Sequence, residues 1–144
     1  MKNFIFTYLF ATLLLVGCGN DSEEVEYKSF EDFKNEVVAS VDGTYVNCGV
    51  VRLGESNLDA NTCAAESFQN QRSFVAIYEL QGIDSNVGSA LVMDGGPEVE
   101  KWHYDSNPCG GVPACDSKIY YESCSHPSLS GVLDGDPSSI FVCE

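Results

Sequence analysis

The sequence predicts an α+β domain in which an antiparallel β-sheet packs against one or two short helices and is stapled by disulfides. Three observations lead there. An amphipathic helical pattern opens the body of the chain, a second follows one strand later, and several alternating or β-branched segments come after it. Helix, strand, helix and then a run of strands is the order of an α+β domain. Six cysteines are spread through that body, at positions 48, 63, 109, 115, 124 and 143. With 144 residues in all, one small domain is the limit. A hydrophobic share of 44% and an aromatic share of 11% supply a core and exclude a wholly disordered acidic chain.

Ser29-Phe30-Glu31-Asp32 fits an S-x-x-D capping start, and Phe30, Phe33 and Val37 fall on one helical face, so a short helix is expected over 29–40. Gly43 ends it, and Thr44 to Val51 is β-branched and aromatic, as a strand requires. Asn57 or Asp59 can cap a second helix over 58–72, in which Ala60, Ala64 and Phe68 repeat at helical spacing and Cys63 lies beside them. Ser73 to Gln81 is the clearest strand, with Phe74, Ala76, Tyr78 and Leu80 alternating against Val75, Ile77 and Glu79. It is expected to be central.

Ser89–Met93 and Glu98–Tyr104 flank Asp94-Gly95-Gly96-Pro97, a turn cluster that closes a hairpin. In the second of these strands Trp102 and Tyr104 share the core face and His103 points the other way. Residues 105–117 are rich in Gly, Pro, Asn and Cys and read as a cross-linked loop. Lys118–Cys124 and Ser139–Cys143 complete the set as two short strands.

Upstream of this body the pattern changes. Met1-Lys2-Asn3 is a positively charged start, and Phe4 to Val16 then runs without a charge, which is a signal-peptide pattern. At about 1.5 Å per residue the run covers roughly 20 Å of helix, short of the roughly 30 Å core that a permanent span crosses. It ends in Leu15-Val16-Gly17-Cys18, which resembles the lipobox of bacterial lipoproteins at all four positions. That resemblance implies a diacylglycerol thioether on Cys18 and cleavage between Gly17 and Cys18. The expected organisation is a signal peptide over 1–17, a lipidated cysteine with an acidic tether over 18–28, and one α+β domain over 29–144. The tether holds four acids and little that could pack. One acyl chain holds a protein only marginally, but two or more hold it firmly. The implied address is the bacterial cell envelope. Gly19 stands where an Asp is the inner-membrane retention signal, which implies the outer membrane if the host has one. Tyr78–Ser85 and Tyr104–Gly111 are similar to stretches in small exported bacterial proteins and lipoproteins, a resemblance that implies a shared fold over about residues 45–125 and no particular activity.

With Cys18 assigned to lipid, the six cysteines left form an even set, and in an exported chain that implies three disulfides. Six allow fifteen pairings. The favoured set is Cys48 with Cys63, Cys124 with Cys143, and Cys109 with Cys115 across its own loop. Zinc ligation by Cys109, Cys115, Cys124 and His126 is the competing reading. The spacing lacks the close C-x₂₋₄-C pairs of strong zinc sites, and no C-x-x-C dithiol is present. Asp134-Gly135-Asp136-Pro137-Ser138 offers alternating oxygens faintly like a calcium loop, but without the glycine and glutamate that such a loop needs it reads as a turn. No metal and no cofactor is expected.

Twenty-two acids against seven bases give a formal net charge of −15. Loss of residues 1–17 removes Lys2 and no acid, so the balance becomes 22 against 6, or −16. Nucleic acid is excluded as a partner, because affinity for phosphate backbones comes from Lys and Arg. A cationic protein, such as a host defence enzyme, is the partner that this charge would steer. His103 and His126 are the only histidines, and neither lies in H-E-x-x-H; G-x-S-x-G is absent. No catalytic residue is therefore assigned. The expected function is that of an anchored binding or structural module. An inhibitor or ligand of a cationic protein is the second reading and an envelope hydrolase the third.

Overall fold

A computed structural model describes residues 26–111 and 115–144. The elements expected for the leader and the lipidated Cys18 lie outside the described residues. The chain runs through α1 (Phe30–Ala39), β1 (Val46–Val51), α2 (Leu58–Gln69), β2 (Phe74–Gln81), β3 (Asn86–Met93), β4 (Val99–Asp105), β5 (Lys118–Cys124), β6 (Pro127–Leu129), a 3-10 turn (Pro137–Ser139) and β7 (Phe141–Cys143). Strands β1 to β5 form one sheet in sequence order, and β6 pairs with β7 in a small second sheet. This is an α+β domain stapled by three disulfides: Cys48–Cys63, Cys109–Cys115 and Cys124–Cys143. Their pairing is the favoured one.

Helix α1 begins where Ser29 can cap it. The Asp32 N–H donates to Ser29 Oγ at 3.1 Å and the Ser29 N–H donates to Asp32 Oδ2 at 2.7 Å, a reciprocal capping box. The Ser29 side chain and backbone hold the Asp32 carboxyl below its ordinary range. Phe33 and Val37 are fully buried, and they pack on Val75, Ile77, Ala90, Val92, Trp102 and Tyr104. Those residues make one face of the sheet. The helix comes close because residue 88 has no side chain: a Cβ there would lie 2.8 Å from Phe30 and 3.1 Å from Phe33.

The opposite face is covered by α2 and by the C-terminal segment. Ala60 and Ala64 of α2 meet Phe74, Ala76 and Tyr78 of β2, and Ile140 and Phe141 close over Leu91, Met93 and Val99. Strand β2 is thus buried on both sides. The sheet is antiparallel from β2 to β5, while β1 joins β2 in parallel. A parallel pair needs a crossover that returns the chain to its starting end, and α2 supplies it. The Cys48–Cys63 bridge ties that crossover helix to β1.

The parallel β1–β2 pair departs from the antiparallel sheet expected, and so do several local details. Asn57 stands at the N-cap of α2, but its side chain donates to the Gly135 carbonyl at 2.9 Å instead of capping the helix. Helix α2 stops at Gln69 rather than 72, since Gln71 turns left-handed at φ 54°. Ser139, expected in the last strand, belongs to a 3-10 turn whose first free N–H, at Ser138, donates to the Asp136 carboxylate at 2.8 Å.

A buried polar network fixes the C-terminal segment. The Tyr78 hydroxyl donates to Asn61 Oδ1 at 2.8 Å, and Asn61 Nδ2 donates to the Leu133 carbonyl at 2.8 Å. Asn61 is completely buried. An amide at this depth is tolerated because both of its ends are paired. Burial pushes the Tyr78 phenol well above its ordinary pKa.

Candidate functional site

The first described residues meet the sheet at one end. The Ser117 N–H donates to the Glu26 carbonyl at 3.1 Å, the Glu26 N–H to Asp116 Oδ1 at 2.8 Å, and the Tyr104 hydroxyl to the Lys28 carbonyl at 2.8 Å. The chain therefore enters beside the start of β5. Residues 106–111 and the β2–β3 turn sit at that same end, where Asp84 approaches Gly110. Parts of Tyr78–Ser85 and Tyr104–Gly111 thus meet at this end.

A cavity of about 680 Å³ lies at the other end. It is a groove between the C-terminus of α2, the β3–β4 turn and the turn that follows β5. Its apolar lining is Phe68, Met93, Pro97 and Pro127, and its polar lining is Gln69, Gln71, Ser125 and His126, with Gly95 and Gly96 between. Each wall has a local cause. Phe68 is held edge-on against Phe141 with ring centroids 5.1 Å apart. The Cys124–Cys143 bridge fixes the residue before Ser125. Gly95 takes φ 65° in the turn, and its N–H donates to Ser73 Oγ at 2.9 Å.

Gln71 is placed by a Schellman ending of α2. The Arg72 N–H donates to the Ser67 carbonyl at 2.9 Å and the Gln71 N–H to the Phe68 carbonyl at 3.0 Å. Glycine or asparagine is the usual residue at this left-handed position. Glutamine here keeps an exposed amide on the groove wall at a backbone cost of about 1 kcal/mol.

The two histidines are not brought together. His126 is exposed and lines the groove; His103 is half-buried in the middle of β4, where it stacks on Tyr120 at 5.0 Å. Among the described residues His126 is the only titratable side chain in the groove lining, and Ser125 the only hydroxyl. No carboxylate among the described residues lines it to orient an imidazole as a base. What the arrangement offers is amide, backbone and imidazole hydrogen bonding over an apolar floor. That suits binding.

Cys109, Cys115 and Cys124, considered above for zinc, are all in disulfides. Among the described residues no group of three or more His, Cys, Asp or Glu side chains could hold a metal ion. Asp134 to Ser138 form a turn that leads into the 3-10 turn. Among the described residues no helix is long and apolar enough to cross a membrane. The groove residues Gln69 and Gln71 carried no signal in the sequence, because glutamine has no preference for left-handed backbone. Compared with protein-family models, curated proteins and solved structures, the chain shows no match.

Proposed function

We propose that the chain is a bacterial lipoprotein, cut after Gly17 and anchored through Cys18, which carries a disulfide-stapled binding or structural module in the cell envelope. The observation that carries this reading is the parity of the cysteines. Six are paired within the domain, and the seventh is the one in the lipobox-like Leu15-Val16-Gly17-Cys18. Three disulfides fit an oxidising compartment outside the cytoplasm. The position of Glu26 at the end of the sheet away from the groove fits a tether that leaves the groove open to a ligand.

The test is metabolic labelling of the full chain with a radiolabelled fatty acid. Wild type should take up label, Cys18→Ser should not, and globomycin, which blocks lipoprotein signal peptidase, should make a larger precursor accumulate. Equal labelling of both chains, or processing unchanged by the drug, overturns the anchor.

A cationic partner is the second reading, favoured by the charge. Asp21, Glu23, Glu24 and Lys2 precede residue 26, which leaves 19 acids against 6 bases beyond them. Three of those six bases sit within 4 Å of a carboxylate of the same chain, and Lys101 donates to the Ser138 and Phe141 carbonyls. Titration with lysozyme at low ionic strength reads this directly, and no binding there rejects that enzyme as the ligand.

A further inference from the structure

The sheet has two edges, and they differ. Strand β1 is interrupted: its register with β2 shifts between Asn47 and Val50, Gly49 turns to φ 94°, and the Cys48 bridge lies within the same stretch. A bulge of this kind is how edges are protected from pairing with other chains. Strand β5 is regular over seven residues, with unbroken pairing to β4 from Lys118 to Cys124; the incoming chain at Glu26 and Lys28 bonds to Ser117 just before it, and from Lys118 onward no strand lies on its other side among the described residues. It also exposes two aromatic rings, Tyr120 at 51% and Tyr121 at 54%.

The sequence of this edge is complementary to itself. If two copies of β5 pair antiparallel about Tyr120, Lys118 meets Glu122 of the other copy twice, Ile119 meets Tyr121 twice, and Tyr120 meets Tyr120. Opposite charges and apolar pairs on neighbouring strands are the favourable cross-strand combinations. The faces agree as well. Lys118, Tyr120 and Glu122 lie on one face of the strand and Ile119 and Tyr121 on the other, and this register keeps each with its own kind. Neither Lys118 nor Glu122 makes an ion pair within its own chain among the described residues. Each outer ring is already backed from within, Tyr120 by His103 at 5.0 Å and Tyr121 by Trp102 at 4.9 Å.

We infer that the β5 edge is a self-association surface, on which a second copy of this chain adds antiparallel in the register Lys118–Glu122, Ile119–Tyr121 and Tyr120–Tyr120 to make a continuous ten-stranded sheet. Such an interface is isologous and closes at two copies. The acid excess of each domain opposes the approach. At physiological ionic strength charges more than about 8 Å apart are screened, so the strand contact decides.

The experiment is co-purification of two differently tagged copies of the full chain, co-expressed and extracted in detergent. Wild type should recover wild type. Lys118→Glu alone faces Glu122 of its partner twice, and Glu122→Lys alone faces Lys118 twice, so each should recover its own kind about tenfold less. Lys118→Glu co-expressed with Glu122→Lys has both ion pairs again and should recover near wild-type amounts. A variant that merely misfolds, or that suffers from Asp105 or Lys101 beside it on β4, would not be rescued in this way. Absence of wild-type recovery overturns the proposal and leaves the edge to a strand from a different protein. Wild-type recovery without rescue in the mixed pair overturns the register.

Discussion

Replacing Tyr78 by Phe removes a single oxygen from the best-buried part of the domain. The hydroxyl donates at 2.8 Å to Asn61 Oδ1, and Asn61 has no exposed surface through which water could take its place. The other end of the amide stays bonded to Leu133, so it cannot turn away to find a new partner. Loss of the bond leaves an unpaired acceptor in the core, which costs about 1–3 kcal/mol; a middle value of about 2 kcal/mol reduces the folded-to-unfolded ratio roughly thirtyfold. Urea denaturation without reductant, followed by the fluorescence of Trp102, the only tryptophan and 6% exposed, gives the number. With a slope of about 1–2 kcal/mol per molar urea, the midpoint should fall by about 1–2 M. Asn61→Ala should cost at least as much, and the double variant should cost less than the sum of the two, because the first change already breaks the shared bond. A Tyr78→Phe midpoint within error of wild type, or strictly additive costs, would refute the account of this network.

The same phenol predicts an alkaline limit. Its pKa is raised in the folded chain by burial, as is that of Tyr104, so the unfolded chain loses these protons first. Stability should hold below about pH 10, fall as pH rises through the folded values, and fall less steeply in Tyr78→Phe, as read by denaturation at a series of pH values. Gly88→Ala should destabilise by about 1–3 kcal/mol, because the new methyl meets Phe30 and Phe33 below contact distance; a neutral result in thermal melting would mean that α1 does not pack as described. Replacing Cys124 and Cys143 together by Ser should cost about 3 kcal/mol by freeing a loop with a sequence separation of 19. Chemical denaturation of that variant, with wild type as reference, checks the figure.

Much of the fold could be read in advance because its signals are local. Ser29 and Asp32 sit at the spacing of a capping box, and Asp94 to Pro97 can hardly be anything but a turn between two apolar strands. Cysteine spacing carried the bridges, since each partner lies close in the chain or on an adjoining element. What depends on distant chain was hidden. Asn57 and Asn61 look like ordinary helix residues until residues 133–135 arrive to bind them. Strand β6 is only three residues long, too short for a period to show, and exists because Phe141–Cys143 lies beside it. The groove is hidden for the same reason, as its walls come from three separate turns.

The order of the bridges bears on how the chain matures. All three join cysteines that are neighbours in the sequence: 48 with 63, 109 with 115, and 124 with 143. Short loops close at the least entropic cost, so a chain that crosses a membrane N-terminus first and oxidises its thiols as they emerge reaches this set without reshuffling. That holds only if counting begins at Cys48. Were Cys18 a free thiol, neighbour pairing would start one place early, joining 18 with 48, 63 with 109 and 115 with 124, and Cys143 would be stranded. On the proposed lipidation, Cys18 would be withdrawn from this series and the other six would stay in phase.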